Sequence, residues 1–121
     1  IRKQEKWKFP RHAVQGRVTA NLLAKDGTVS DAHFNGSIAD ISRDGTCFEI
    51  NCSKKKTARA LLTRDLVLSF SVNQGEKGLK FSAVGTVVRV SFHLHNDYSI
   101  HMRFKKLLHE ELITKLAAED S

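Results

Sequence analysis

A chain of 121 residues, 40% hydrophobic and 27% charged, is sized for one core and is expected to form one domain over 1–121. No apolar run nears the roughly 18 residues of a membrane-crossing helix and no apolar segment follows the basic start, so a cytoplasmic protein without a membrane span is expected. The net charge of +7 gathers at one end, where residues 1–17 hold six Lys and Arg against Glu5 alone, and a localised positive potential selects an anionic partner.

Residues 1–12 read as a basic arm. Trp7, Phe9 and Pro10 are embedded in it, sheet alternation is absent, and Pro10 disfavours helix at Phe9. From Val14 the side chains Val14, Gly16, Val18, Ala20 and Leu22 alternate with polar residues, which predicts a first strand. Lys25-Asp26-Gly27 supplies a hairpin turn. A second strand is predicted over about 30–39, with Phe34, Gly36 and Ile38 on one face, and a third over about 45–51, with Thr46, Phe48 and Ile50. Between them lies Asp40-Ile41-Ser42-Arg43-Asp44-Gly45, the pattern D-x-S-x-x-G, read as a turn. Its carboxylate, hydroxyl and glycine suit a planar ligand edge with adjacent donors, such as guanine; they are also what ordinary hairpin turns contain.

Residues 53–63, with Lys54-Lys55-Lys56, fit a loop or one short helical turn. A fourth strand carries Leu66, Leu68, Phe70 and Val72 inward, and 73–78 form a turn. The fifth strand, about 79–92, points Leu79, Phe81 and Ala83 inward and is expected to change phase at Gly85, so that Val88 and Val90 continue inward on the other parity. His93 to Asp97 turn into a sixth strand with Tyr98, Ile100, Met102 and Phe104 inward. Leu108, Leu112 and Leu116 with Ile113 then mark one amphipathic helix over 106–118.

Six antiparallel strands with polar outer faces close most economically into a barrel, because closure removes exposed edges. The expected fold is therefore all-β with a terminal helix: a six-stranded antiparallel β-barrel over 13–105 and a C-terminal α-helix plugging or flanking one opening. Cys47 and Cys52 lack the second pair that a zinc site or a disulfide framework needs, so buried or edge thiols are expected. His93 and His95 form H-x-H without a completing ligand, and Ser42 lacks a nucleophile-elbow context. Neither a bound metal nor catalysis is expected.

Four stretches together resemble the PilZ domain: Glu5-Lys6-Trp7-Lys8-Phe9-Pro10-Arg11, the first strand, the D-x-S-x-x-G turn, and Tyr98-Ser99-Ile100-His101-Met102-Arg103-Phe104 before the final helix. The resemblance implies a six-stranded barrel with a C-terminal helix and a bacterial receptor for the second messenger cyclic di-GMP. It also implies that an R-x-x-x-R motif before the first strand grips phosphates and guanine, while Asp40, Ser42 and Gly45 read a guanine. Arginine suits this task because its fork contacts a phosphate bidentately and its plane stacks on a purine.

Arg11 stands where the second motif arginine falls, but Trp7 occupies the place of the first, and His101 the place of a common glycine. Either Trp7 stacks on a base while Lys6, Lys8 and Arg11 hold phosphates, or the messenger site is lost. The expected ligand-binding set is Lys6, Trp7, Lys8, Arg11, Asp40, Ser42, Arg43 and Gly45. The expected function is a noncatalytic cyclic di-GMP binding module acting through a protein partner in bacterial signalling, without a cofactor. The alternative is a degenerate domain serving as a protein–protein adaptor. Nucleic-acid binding ranks last, because the sheet faces expose few aromatics.

Overall fold

The computed structural model describes residues 9–73 and 78–119, the last three as backbone only. Lys6, Trp7 and Lys8 lie outside the described residues, as does most of the turn expected over 73–78. Six strands are present: β1 (Gly16–Leu23), β2 (Val29–Ile41), β3 (Gly45–Asn51), β4 (Asp65–Val72), β5 (Leu79–Phe92) and β6 (Asp97–Phe104). They form a closed antiparallel barrel in the order β1-β2-β3-β6-β5-β4, with the β1–β4 pairing completing the ring. The segment between β3 and β4 is helical, α1 (Lys55–Arg59), and the chain ends in α2 (Glu110–Glu119).

The interior follows from the period-2 pattern. Val18 and Ala20, Ile38, Phe48 and Ile50, the β4 quartet Leu66, Leu68, Phe70 and Val72, and the β6 set Tyr98, Ile100, Met102 and Phe104 are all buried in one cluster. Each of the larger aliphatic and phenyl side chains among them contributes about 1.5–3 kcal/mol by leaving water. Phe70 stacks on Phe81 at 4.7 Å and meets Phe104 edge-on at 6.2 Å, which ties β4, β5 and β6 together. Leu108 and Leu116 join the same cluster, with Leu112 and Ile113 packed against it, so the terminal helix is part of the core.

Two bulges depart from the simple alternation. In β5 the change of phase falls at Val88 and not at Gly85: Val87 pairs with Met102 and Arg89 with His101, leaving Val88 as the extra residue, 51% exposed. The cause is that Val87 spends its backbone groups on the α1–β4 connection, accepting from Thr63 N and donating to Arg64 O, both at 2.9 Å. Gly85 is required for another reason, since a Cβ there would sit 2.8 Å from the Arg103 carbonyl oxygen on β6.

In β2 the register shifts between Ile38 and Asp40, making Ala39 the extra residue. Asp40 and Ile41 therefore belong to β2, and the turn is shorter than the motif, because Ile41 exchanges two backbone hydrogen bonds with His12 that prolong the strand. The terminal helix is also shorter than 106–118. Phe104 N and Leu108 N donate to Asp44 O and Arg43 O, each at 2.8 Å, which holds 105–108 across the motif turn and delays the helix to Glu110.

Candidate functional site

The N-terminal segment is tied to the barrel by the bridge between His12 and Ile41, with N–H···O distances of 2.8 and 2.9 Å. This bridge brings the Arg11 guanidinium onto the Asp40 carboxylate, Nη1 bonding Oδ1. The two side chains are 17% and 31% exposed, so the pair sits at the surface of the barrel and not within it. Residues 29 positions apart in sequence thus share one ion pair.

The rest of the motif is built into the turn. Ser42 is fully buried and its hydroxyl donates to Asp44 Oδ1 at 2.6 Å, while Ser42 N donates to Gly45 O at 2.9 Å. Gly45 opens β3 where it crowds β6; a Cβ there would lie 2.3 Å from the Met102 carbonyl oxygen. Arg43 is aimed at the terminal helix: its Nε donates to Leu108 O at 2.8 Å, its Nη1 lies 3.3 Å from Glu110 Oε1, and its guanidinium lies 5.4 Å from the centre of the Phe9 ring. Of the expected binding set, Arg11 and Asp40 are therefore in contact. Ser42, Arg43 and Gly45 stand beside them with their groups engaged in the turn and in α2.

The β2 bulge has a second effect. It turns Asp40 to the outside, opposite Cys47 of β3, which pairs with His101 of β6, which pairs with Arg89 of β5. Asp40, Cys47, His101 and Arg89 form one row across the outer face. Cys47 is buried although it is not part of the core cluster, and its Sγ lies 3.9 Å from His101 Nε2. Burial, then the nearby Asp40 carboxylate, pushes the Cys47 thiol up to about 11, so it stays protonated at neutral pH. Burial, then the charges of Arg89 and Arg11, holds His101 below the ordinary histidine value.

Beside this row an open groove of about 400 Å³ is lined by Arg17, Ser37, Glu49, Asn51, His93 and Asp97 among others. His93 Nε2 and Ser99 Oγ are hydrogen bonded at 2.6 Å. Cys47, His101 and Arg89 escaped the sequence reading as site residues; their signal was their position on the parity opposite to the core residues of β3 and β6, and for Arg89 it was hidden by the bulge. Among the described residues no cluster of three or more His, Cys, Asp or Glu is arranged to hold a metal, and no helix is long and apolar enough to cross a membrane.

The closed six-stranded barrel, its strand order and its terminal helix are those of the PilZ-like fold. Solved structures of the same architecture include the inhibitor of motility MotI/DgrA of Bacillus subtilis, with a TM-score of 0.67, 9% identity, and coverage of 97% of this chain and 51% of that one. The PilZ domain of YcgR from Escherichia coli, solved with c-di-GMP, gives 0.58 and 14%, covering 93% and 87%. The MrkH–c-di-GMP complex from K. pneumonia gives 0.56 and 18%, covering 95% and 51%; MrkH is described as a c-di-GMP-dependent transcription regulatory factor. The chain thus spans about half the length of MotI/DgrA and MrkH. No protein-family model matches the sequence, and no curated protein matches it.

Proposed function

We propose that this domain is a noncatalytic receptor for cyclic di-GMP that regulates a protein partner in bacterial signalling. The observation that carries the reading is the Arg11–Asp40 contact, which joins the two halves of the PilZ signature at the surface of one barrel. Without ligand the guanidinium and the carboxylate neutralise each other. A guanine edge with its N1 and N2 donors suits the Asp40 carboxylate, and a phosphate suits the Arg11 fork, so the dinucleotide exchanges one ion pair for two charge-assisted contacts. Trp7 is assigned to stacking on a base, with Lys6 and Lys8 adding positive charge near the phosphates.

Binding and not catalysis is favoured by the state of the nucleophiles: Cys47 is held protonated, and Ser42 is buried with its proton committed to Asp44. The adaptor reading draws on the same engagement of Ser42, together with Trp7 in the place of an arginine. Nucleic acid stands as a candidate partner despite the few aromatics on the sheet faces, because a protein of this fold is described as a transcription regulatory factor.

Isothermal titration with cyclic di-GMP tests the receptor reading. Arg11→Ala and Asp40→Ala are each expected to weaken binding by about 10- to 100-fold, the loss of one hydrogen-bonded charged contact. No heat at tens of micromolar protein and ligand leaves the adaptor as the function, while retention of a long single strand with a steep salt dependence assigns nucleic acid instead.

A further inference from the structure

The row of side chains on the outer face of β3, β6 and β5 has an electrostatic imbalance. Among the described residues Arg89 has no carboxylate within salt-bridge distance, and it stands beside His101 by strand register. From the other side Arg11 reaches the same row at Asp40. Strands lie about 4.8 Å apart, so β2 and β5 are separated by three spacings, about 14 Å; two arginines thus bracket a half-buried imidazole over the Cys47 floor. The charged and titratable groups around His101 on this face are Cys47 and Glu49 from β3, Arg103 along β6, Arg89 from β5, Arg11 from the N-terminal segment, Asp40 from β2 and His93 just past β5. Two carboxylates, Asp40 and Glu49, against three guanidiniums, Arg11, Arg89 and Arg103, and two imidazoles leave this surface short of an anion.

We propose that His101 and Arg89 form a second phosphate grip, facing Arg11 across Cys47, and that this grip takes up a proton when a phosphate enters it. The identity of the full ligand as cyclic di-GMP rests on the receptor reading above; the grip itself requires only a phosphate. Its place in the molecule answers the departure at Trp7, since positive charge absent from the arm is supplied from the strands. A glycine at position 101 would offer only backbone there, whereas imidazole offers a cation on demand.

The sign follows from the surroundings. In the free protein burial, then the neighbouring arginines, disfavours the imidazolium; a bound phosphate, being negative, favours it. Binding then tightens as the pH falls through the bound-state value of His101 and levels off below the free-state value. A shift of one unit between the two states gives a tenfold change in affinity.

The test pairs two probes. Nuclear magnetic resonance titration of the His101 imidazole, with and without inorganic pyrophosphate, reads the grip directly, and calorimetry with cyclic di-GMP from about pH 5.5 to about pH 8 reads its use. Pyrophosphate is expected to raise the imidazole titration by about one unit, and Arg89→Gln to abolish that rise. The dinucleotide is expected to bind about tenfold more weakly at the alkaline end, with a flat profile in His101→Gln. An imidazole unmoved by pyrophosphate overturns the grip, as does a His101→Gln profile as steep as that of the parent. An imidazole that responds to pyrophosphate in a protein that ignores cyclic di-GMP at every pH supports the grip and overturns the receptor reading.

Discussion

A single inserted residue, Ala39, decides which side chains meet on the outer face. Strict alternation would put Asp40 on the core parity with Ile38, and the extra residue instead sets Asp40 opposite Cys47. Arg11 and Asp40 could be paired from the sequence because each belongs to a spaced motif. The Cys47–His101–Arg89 row could not, since Arg89 reaches it only through the β5 bulge, which no residue type announces. Cys47 shows what the placement does to chemistry: buried, beside a carboxylate and raised to about 11, it should resist alkylation at neutral pH, while the less buried Cys52 reacts first. Mass spectrometry after iodoacetamide is expected to find one adduct in the folded protein and two in denaturant. Because the folded thiol ionises later than the unfolded one, its contribution to stability is present below about pH 9 and is lost as the pH rises toward about 11.

The elements are held together where the motif turn meets the C-terminal segment. The helix was legible from Leu108, Leu112 and Leu116 at their spacing, but its start was not, because the hydrogen bonds that delay it come from Arg43 and Asp44, more than 60 residues earlier in the chain. Gly45 lets β3 and β6 close at this point, and Gly45→Ala is expected to destabilise the fold by about 1–3 kcal/mol, since the carbonyl it would strike is backbone and cannot rotate away. The measurement is a urea midpoint at unchanged slope. Arg43 joins Leu108 O, Glu110 and the Phe9 ring. Arg43→Ala is therefore expected to loosen α2 by about 1–2 kcal/mol, seen as faster amide hydrogen exchange in α2 with barrel amides unchanged. The same residue links Phe9 of the N-terminal segment to the start of α2.

At the scale of the molecule, closure was readable from six alternating segments because an open sheet of that size leaves edges exposed, and the β1–β4 pairing provides that closure. A ring in which every strand has two partners leaves no strand free to detach alone, so unfolding is expected to be a single cooperative transition. The basic arm is attached differently, through the His12–Ile41 bridge and the Arg11–Asp40 pair, and its chromophore is Trp7, the one tryptophan of the chain. In the receptor reading two signals must then move together when cyclic di-GMP is added. Stacking on a base quenches Trp7, and binding to the folded state alone raises its stability by about 2.7 kcal/mol at one hundred times the dissociation constant, or about 10 °C in melting temperature. Fluorescence titration and thermal unfolding followed by circular dichroism supply the comparison, and the two should return one dissociation constant. Quenching without a change in melting temperature would mean that the ligand meets the arm without engaging Asp40 and the barrel, and a shift without quenching would remove Trp7 from the site while leaving Arg11 and Asp40 in it.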